Sequence, residues 1–304
     1  MFQEAFESTI STEQIDQVIR HIFEDERAVR RENEPGLVNE LYRMASFDWG
    51  GLHQNSLEKT IVDNYVKKIR SYEVLCTKIE NELHQSMRGY VLCSWYNHWT
   101  SIIIEDIFKE HPHVLPAVGL VQKIDFFIRD VPFDLKVTYM PEGFISDRRR
   151  LSGLRPELTL LRQRARALGI HFDGELAGNK LLEDLWKKLH DHPDVEAQQL
   201  VDQLREFRTN LLTNCVNNPI SLIQWLYENQ GIRRFDASNR LFLVLVDSEN
   251  MFESWKLKRA RPLLLNRISN YLDSVGERPG RDLTFVWDET TYSVLSDVVF
   301  VIHP

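Results

Sequence analysis

Three cysteines, no long apolar run and a deficit of positive charge exclude several classes of protein before any motif is considered. Cys76, Cys93 and Cys215 are widely separated. They supply neither a C-x-x-C zinc pair nor a disulfide framework, so reduced structural thiols are expected. The longest uninterrupted apolar stretch, Leu241 to Val246, is too short to span a bilayer. The opening MFQEAFEST has neither the basic region nor the apolar stretch of an export signal, so a cytoplasmic location without membrane association is expected. No glycine pattern of the P-loop or dinucleotide-binding kind occurs, which leaves ATP-driven and NAD-dependent chemistry without support. Internal repeats and low-complexity tracts are also absent.

The formal net charge of −8 counts against a simple nucleic-acid binder, because phosphate affinity comes largely from Lys and Arg. Locally the balance inverts. From Arg148 to Ile170 there are seven arginines, beginning with Arg148, Arg149, Arg150 and Arg155, against the single acid Glu157. A second basic cluster comprises Lys256, Lys258, Arg259 and Arg261. Charge runs are more often solvated helix faces than binding sites.

With 43% apolar and 27% charged residues, 304 residues bury a substantial core as one large domain or two smaller ones. From Ser11 to about His111 the pattern is helical. Ser11 with Gln14 and Asn55 with Glu58 resemble capping boxes, and apolar residues recur at three- and four-residue spacing from Ile61 to Cys76. From Leu120 to Met140 the period switches to two around Asp130-Val131-Pro132, as in a β-hairpin. Residues 156–230 read as three or four helices broken at Gly169, Gly174, Pro193 and Pro219. RLFLVLVD, Arg240 to Asp247, reads as a central strand buried on both faces. A helix from about Ser254 to Leu272 and strands at Leu283 to Trp287 and Val298 to Ile302 follow. The expected class is α/β, with a mixed central sheet flanked by helices. The expected division is a helical N-terminal region over 1–85 and a domain over 86–304 carrying a helical insertion at about 147–230.

The hairpin carries the chemistry. With Asp130 and Val131 as the loop, Asp125 stands opposite Lys136 and Phe127 opposite Asp134. One face then collects Ile124, Phe126, Ile128, Phe133, Leu135 and Val137. The other collects Lys123, Asp125, Asp134, Lys136 and Thr138, with Phe127. Asp125 and Asp134 then lie on a diagonal, roughly 7 Å or less between Cβ atoms, close enough to share a cation. Mg²⁺ is usually held by one or two carboxylates while water and substrate phosphate fill the other positions. Lys136 would orient the attacking water or stabilise developing charge. The bland alternative is a solvated Asp125–Lys136 pair worth under about 1 kcal/mol.

Asp125, a gap, then Asp134-Leu135-Lys136 resembles the signature of the PD-(D/E)xK nuclease superfamily, which includes most type II restriction endonucleases. Ile124 stands where the family pattern has proline. The resemblance implies a restriction-endonuclease-like core and a Mg²⁺-dependent endonuclease, with Mn²⁺ as a substitute. The implied substrate is double-stranded DNA, and the implied setting is restriction or phage defence. It further implies a third acidic residue on the preceding helix, a place occupied by Glu105, with Asp106 adjacent. Alternatives are a nuclease for RNA or for branched or single-stranded DNA, and a non-catalytic DNA-binding or scaffold protein. Lys123, Arg148, Arg149, Arg150 and Arg155 are the expected DNA contacts. A homodimer is expected because two symmetric cuts are naturally made by a two-fold assembly, with the N-terminal helices serving DNA contact or dimerisation.

Among other candidates, His98 lies seven residues before Glu105 on roughly the same helical face. His111 with His113 and His190 with His192 read as loop residues, since neither pair has a cysteine or third histidine. Trp95, Tyr96 and Trp99 read as core aromatics rather than base-stacking groups.

Overall fold

The computed structural model describes residues 11–49, 52, 57–118, 124–173, 176, 178–229, 239–287 and 289–304. Asn55 and Gly174, named above as helix signals, lie outside them. The chain divides into two compact units, residues 1–112 with 258–264 and residues 113–257 with 265–304. No described helix is long and apolar enough to cross a membrane.

The first unit is helical. Helix α1, Thr12–Tyr42, starts at the Ser11–Gln14 capping box read from sequence. It continues through Pro35 even though proline cannot donate the helical hydrogen bond. Buried ion pairs fasten this stretch: Arg27 binds Glu34 (2.5 Å) and Glu110 (2.5 Å), and Arg261 binds Glu34. Helix α2, Leu57–Ile61, runs into a π-helical turn, Val62–Val66. Helix α3, Tyr72–Lys78, passes through a second such turn, Ile79–Leu83, into α4, His84–Lys109.

The boundary expected at 85/86 falls instead at 112/113, because α4 is tied to α1. Arg30 grips Asp106 with two bonds (2.8 and 2.9 Å), and Arg31 reaches Glu110 at 3.0 Å. Burial pushes the Glu110 carboxyl up, but hydrogen bonds and charge from Arg31 and Arg27 outweigh it and hold the group below its ordinary range.

The second unit is a mixed six-stranded sheet with helices. Its strands are β1 Val114–Pro116, β2 Phe126–Ile128, β3 Val131–Tyr139, β4 Arg240–Asp247, β5 Arg281–Trp287 and β6 Thr290–His303. Their spatial order is β1-β2-β3-β4-β6-β5. β1, β2 and β3 form an antiparallel meander, β4 lies parallel between β3 and β6, and β5 closes the far edge antiparallel to β6. β4 is buried from Arg240 to Val246, as expected of a central strand covered on both faces.

Between β3 and β4 run α5 Glu142–Leu151, α6 Glu157–Ala167, α7 Gly178–His190, α8 Val195–Asn217 and α9 Ile220–Asn229. Breaks fall at Gly169 (φ +66), just beyond the end of α6, at Pro193 and at Pro219. Helix α5 extends the expected insertion toward β3. Phe144, Leu222, Leu226 and Tyr227 from α5 and α9 pack on Phe242, Val244 and Val246 of one sheet face. There Gly143 is required, since a Cβ would come within 2.8 Å of the Trp225 ring. Helices α6, α7 and α8 enclose a separate core of Leu161, Leu181, Leu185, Leu189, Val201 and Leu204. The helix expected from Ser254 is instead a 3-10 stretch, Met251–Arg259, followed by α10, Arg261–Ser274. Pro262 explains the break, because inside one continuous helix its ring would collide with the carbonyl four residues earlier.

One guanidinium fastens the inserted helices. Arg208 of α8 binds Glu142 of α5 (2.8 and 2.6 Å) and Glu157 of α6 (2.6 Å). It also lies over the rings of Trp186 (4.9 Å) and Phe252 (5.1 Å). Arg208→Met leaves two carboxylates in a buried site without a cation, an arrangement that costs about 3–5 kcal/mol. Urea denaturation should show a loss of that order, shrinking as pH is lowered toward 5 because the stranded carboxyls then take up protons.

Candidate active site

The β2–β3 loop is Arg129–Asp130, one residue earlier than the expected Asp130–Val131. Both residues have positive φ, 48° and 67°. A two-residue hairpin loop of the primed type needs two such residues, which aspartate tolerates and β-branched valine does not. The register therefore pairs Phe126 with Phe133, Phe127 with Pro132 and Ile128 with Val131. This corrects the pairing of Asp125 with Lys136 and of Phe127 with Asp134. The shift is even, so side chains within the ladder keep their faces; Asp125 lies just before β2, and its carboxylate reaches the peptide that follows Asp134.

Asp125 ends the β2–β3 ladder. Its N–H donates to the Phe133 carbonyl (2.9 Å), and its Oδ2 accepts from the N–H of Leu135 (2.7 Å). The carboxylate takes the place of a strand carbonyl at the peptide that follows Asp134. Asp134 is buried, with 9% of its surface exposed. Its Oδ1 accepts from Lys136 Nζ at 2.5 Å, and its Oδ2 lies 3.8 Å from Arg240 Nε. The cation beside Asp134 thus comes from its own strand, through alternation by two, and from the neighbouring parallel strand, where Arg240 stands level with it. The expected charged face is no solvated surface. Arg240, 2% exposed, lies over the Tyr227 ring at 4.7 Å, and burial pushes the Tyr227 phenol up to about 12.

Arg240 and Tyr227 were not singled out in the sequence. The available signal was an arginine opening an otherwise apolar strand, since a charge there needs a partner.

Glu105 lies on α4 in the first unit and pairs with Lys109 at 2.9 Å. Asp106 is buried and held by Arg30, so it is a structural carboxylate rather than a ligand. Among the described residues no group of three or more His, Cys, Asp or Glu side chains is disposed to hold a metal ion. Asp125 and Asp134 are two carboxylates of neighbouring chain segments, one bonded to the peptide that follows the other. Such a pair fits Mg²⁺ or Mn²⁺ of the kind that keeps several waters, and fits poorly a metal needing a full protein cage.

Lys123 lies outside the described residues. Of the expected phosphate contacts, Arg149 is corrected: it is buried, donates to the Arg155 carbonyl (3.0 Å) and lies over the Phe207 ring (4.8 Å). Arg148 is half-buried over Phe144 at 4.9 Å, Arg150 is exposed and pairs with Asp147 at 3.2 Å, and Arg155 is exposed. The second basic cluster turns mostly inward. Arg259 binds the carbonyls of Leu41 and Met44, Arg261 binds Glu34, and Lys258 donates to Asn97 Oδ1 at 2.8 Å. Burial pushes the Lys258 ammonium down to about 8.

His98 packs edge-on against Trp99, and Tyr96 is fully buried. His113 lies between the Leu272 carbonyl (3.1 Å) and the Arg129 guanidinium (2.9 Å), His190 pairs with Asp191 (3.0 Å), and His192 accepts from the Asp194 N–H (3.1 Å). No protein-family model, no curated protein and no solved structure matches the chain.

The Asp125 carboxylate has a structural duty that separates two substitutions. Asp125→Asn keeps an oxygen for the Leu135 N–H, whereas Asp125→Ala leaves that donor unsatisfied at a cost of about 1–3 kcal/mol. Chemical denaturation should place the alanine variant below the asparagine variant by this margin; equal stabilities would contradict the role.

Proposed function

We propose that the protein is a metal-dependent endonuclease acting on double-stranded DNA, a restriction or phage-defence enzyme of the PD-(D/E)xK kind. The observation that carries this reading is the clustering of Asp125, Asp134 and Lys136 where the chain entering β2 lies against β3. The order of elements agrees with it: a helix, an antiparallel meander, an inserted helical segment and then a strand parallel to β3. The resemblance of Asp125 and the Asp134-Leu135-Lys136 triplet implies a helix, a hairpin, a helical segment and then a buried strand, and elements of these kinds follow one another in that order here.

Asp125 and Asp134 would hold Mg²⁺, which when bound supplies polarisation of a phosphoryl oxygen and a more acidic water. Lys136 places an ammonium beside the same carboxylate, where it stabilises negative charge developing on the phosphate. Arg240 lies on the far side of Asp134, with its Nε 3.8 Å from Oδ2, and supplies a second positive charge beside that carboxylate. Arg150 and Arg155, both exposed, are the remaining choices for binding phosphate.

A second reading has its own support. Asp134 is already paired with Lys136 and flanked by Arg240, and Asp125 already satisfies a backbone donor. That self-sufficiency suits a DNA-binding or scaffold protein in which the cluster only stabilises the hairpin. Incubating plasmid DNA with the protein and Mg²⁺ or Mn²⁺, with and without chelator, separates the two. Cleavage that needs the metal, falling about 100-fold or more in Lys136→Ala, is expected of the enzyme. Discrete fragments would mark sequence-specific cutting and smears nonspecific cutting. Intact plasmid under both metals favours the scaffold.

The arginine assignment is tested separately. Arg150→Ala with Arg155→Ala should flatten the dependence of log affinity on log salt by about two, since each phosphate that is no longer neutralised lowers the slope by close to one. An unchanged slope would remove both residues from the interface.

A further inference from the structure

We infer that Lys136 is an internal counter-ion that competes with a divalent metal for the Asp134 carboxylate and gives that carboxylate up in exchange for another anion. The inference rests on the nuclease reading above and adds an order of loading to it: metal and phosphodiester enter together.

Three groups meet at Asp134, and two of them are fixed. The aspartate is held through its backbone, where its own N–H donates to the Asn239 carbonyl (2.9 Å) and the next N–H, that of Leu135, donates to Asp125 Oδ2 (2.7 Å). Arg240 is enclosed, with its guanidinium over the Tyr227 ring (4.7 Å) and its carbonyl accepting from the Ser296 hydroxyl (2.7 Å). Lys136 is different. Its side chain is half-buried, and an ammonium on a flexible four-carbon stem can swing away without disturbing the strand.

As the protein stands, both oxygens of Asp134 face a cation. Oδ1 accepts from Lys136 Nζ at 2.5 Å, and Oδ2 lies 3.8 Å from Arg240 Nε. A divalent ion on the same carboxylate is repelled by both, and at contact distances this repulsion is large even in a partly hydrated setting. One cation has to withdraw, and Lys136 is the one that can. Inside the protein it has no second place to go. Among the described residues Asp134 is its one carboxylate partner, and the residue level with it across the β3–β4 ladder is the apolar Phe242. The replacement anion must therefore come from outside, and a DNA phosphate supplies it. Lys136 then moves to the phosphate as the metal takes Asp134, so each ligand makes room for the other and the coupling is reciprocal. In the free protein the same contact opposes metal binding.

Titration of the full chain with Mn²⁺ alone, read by electron paramagnetic resonance of the free ion, tests the competition. Lys136→Met should bind Mn²⁺ about tenfold or more tightly than wild type. Lys136→Arg keeps the positive charge and should stay close to wild type. Arg129→Gln removes the same charge from the hairpin loop and should also leave the affinity unchanged. Circular dichroism checks that each variant folds, and Asp134→Asn, which should weaken binding, identifies the site. If Asp134→Asn weakens binding but Lys136→Met binds no more tightly than wild type, the inference falls and the nuclease reading stands. Mn²⁺ binding that Asp134→Asn leaves unaltered overturns both. Joint loading is read from the affinity for a short DNA duplex, by fluorescence anisotropy with and without Ca²⁺, with strand integrity checked on a gel. Ca²⁺ should tighten the duplex on wild type at least about threefold more than on Lys136→Met. Equal tightening of the two overturns the exchange.

Discussion

A strand covered on both faces has no room for an unpaired charge, and β4 begins with a charged residue, Arg240. Arg240 sits almost wholly inside the protein at the head of Leu241 to Val246, and the carboxylate level with it across the parallel ladder is Asp134. Removing either partner would strand the other in a medium where an isolated ion is costly. Parallel pairing of β3 with β4 thus does more than complete the sheet. It fixes Asp134 between two cations, Lys136 on its own strand and Arg240 on the next.

The same pairing of buried charges recurs among the inserted helices and between α1 and α4. Arg208 joins α5, α6 and α8 through two glutamates and two aromatic rings, and Arg27, Arg30 and Arg31 join α1 to α4 through Asp106 and Glu110. Many of the arginines that make stretches of this sequence look like a nucleic-acid surface are therefore engaged by internal carboxylates and carbonyls. This reconciles a net charge of −8 with locally basic segments. The exposed cations that remain, Arg150 and Arg155 among them, are fewer than the sequence suggests.

Local signals were legible where one short-range rule dominates. Ser11 with Gln14 announced the start of α1, and the unbroken apolar run announced β4. Pro193, Pro219 and Gly169 announced breaks that the helices observe. The hairpin was legible as a hairpin, but its loop was misplaced by one residue, because Asp130 suits either position and only the backbone shows that Arg129 shares the left-handed conformation. β1 escaped notice because three residues carry no period. Arg149 was grouped with Arg148 and Arg150 because adjacent arginines look alike in sequence, although on a helix they point about 100° apart and one of them faces the core.

Residue order alone determined the α/β class, the central buried strand and the gathering of Asp125, Asp134 and Lys136 on one hairpin, because alternation by two and a tight loop leave few other arrangements. Tertiary structure alone decided which ionic groups are internal: it brought Arg240 to Asp134, turned Arg149 and Arg259 inward, and left the asparagines of α8 facing solvent. The reason is that burial of a charge depends on what packs over it, and those groups lie tens to hundreds of residues away along the chain.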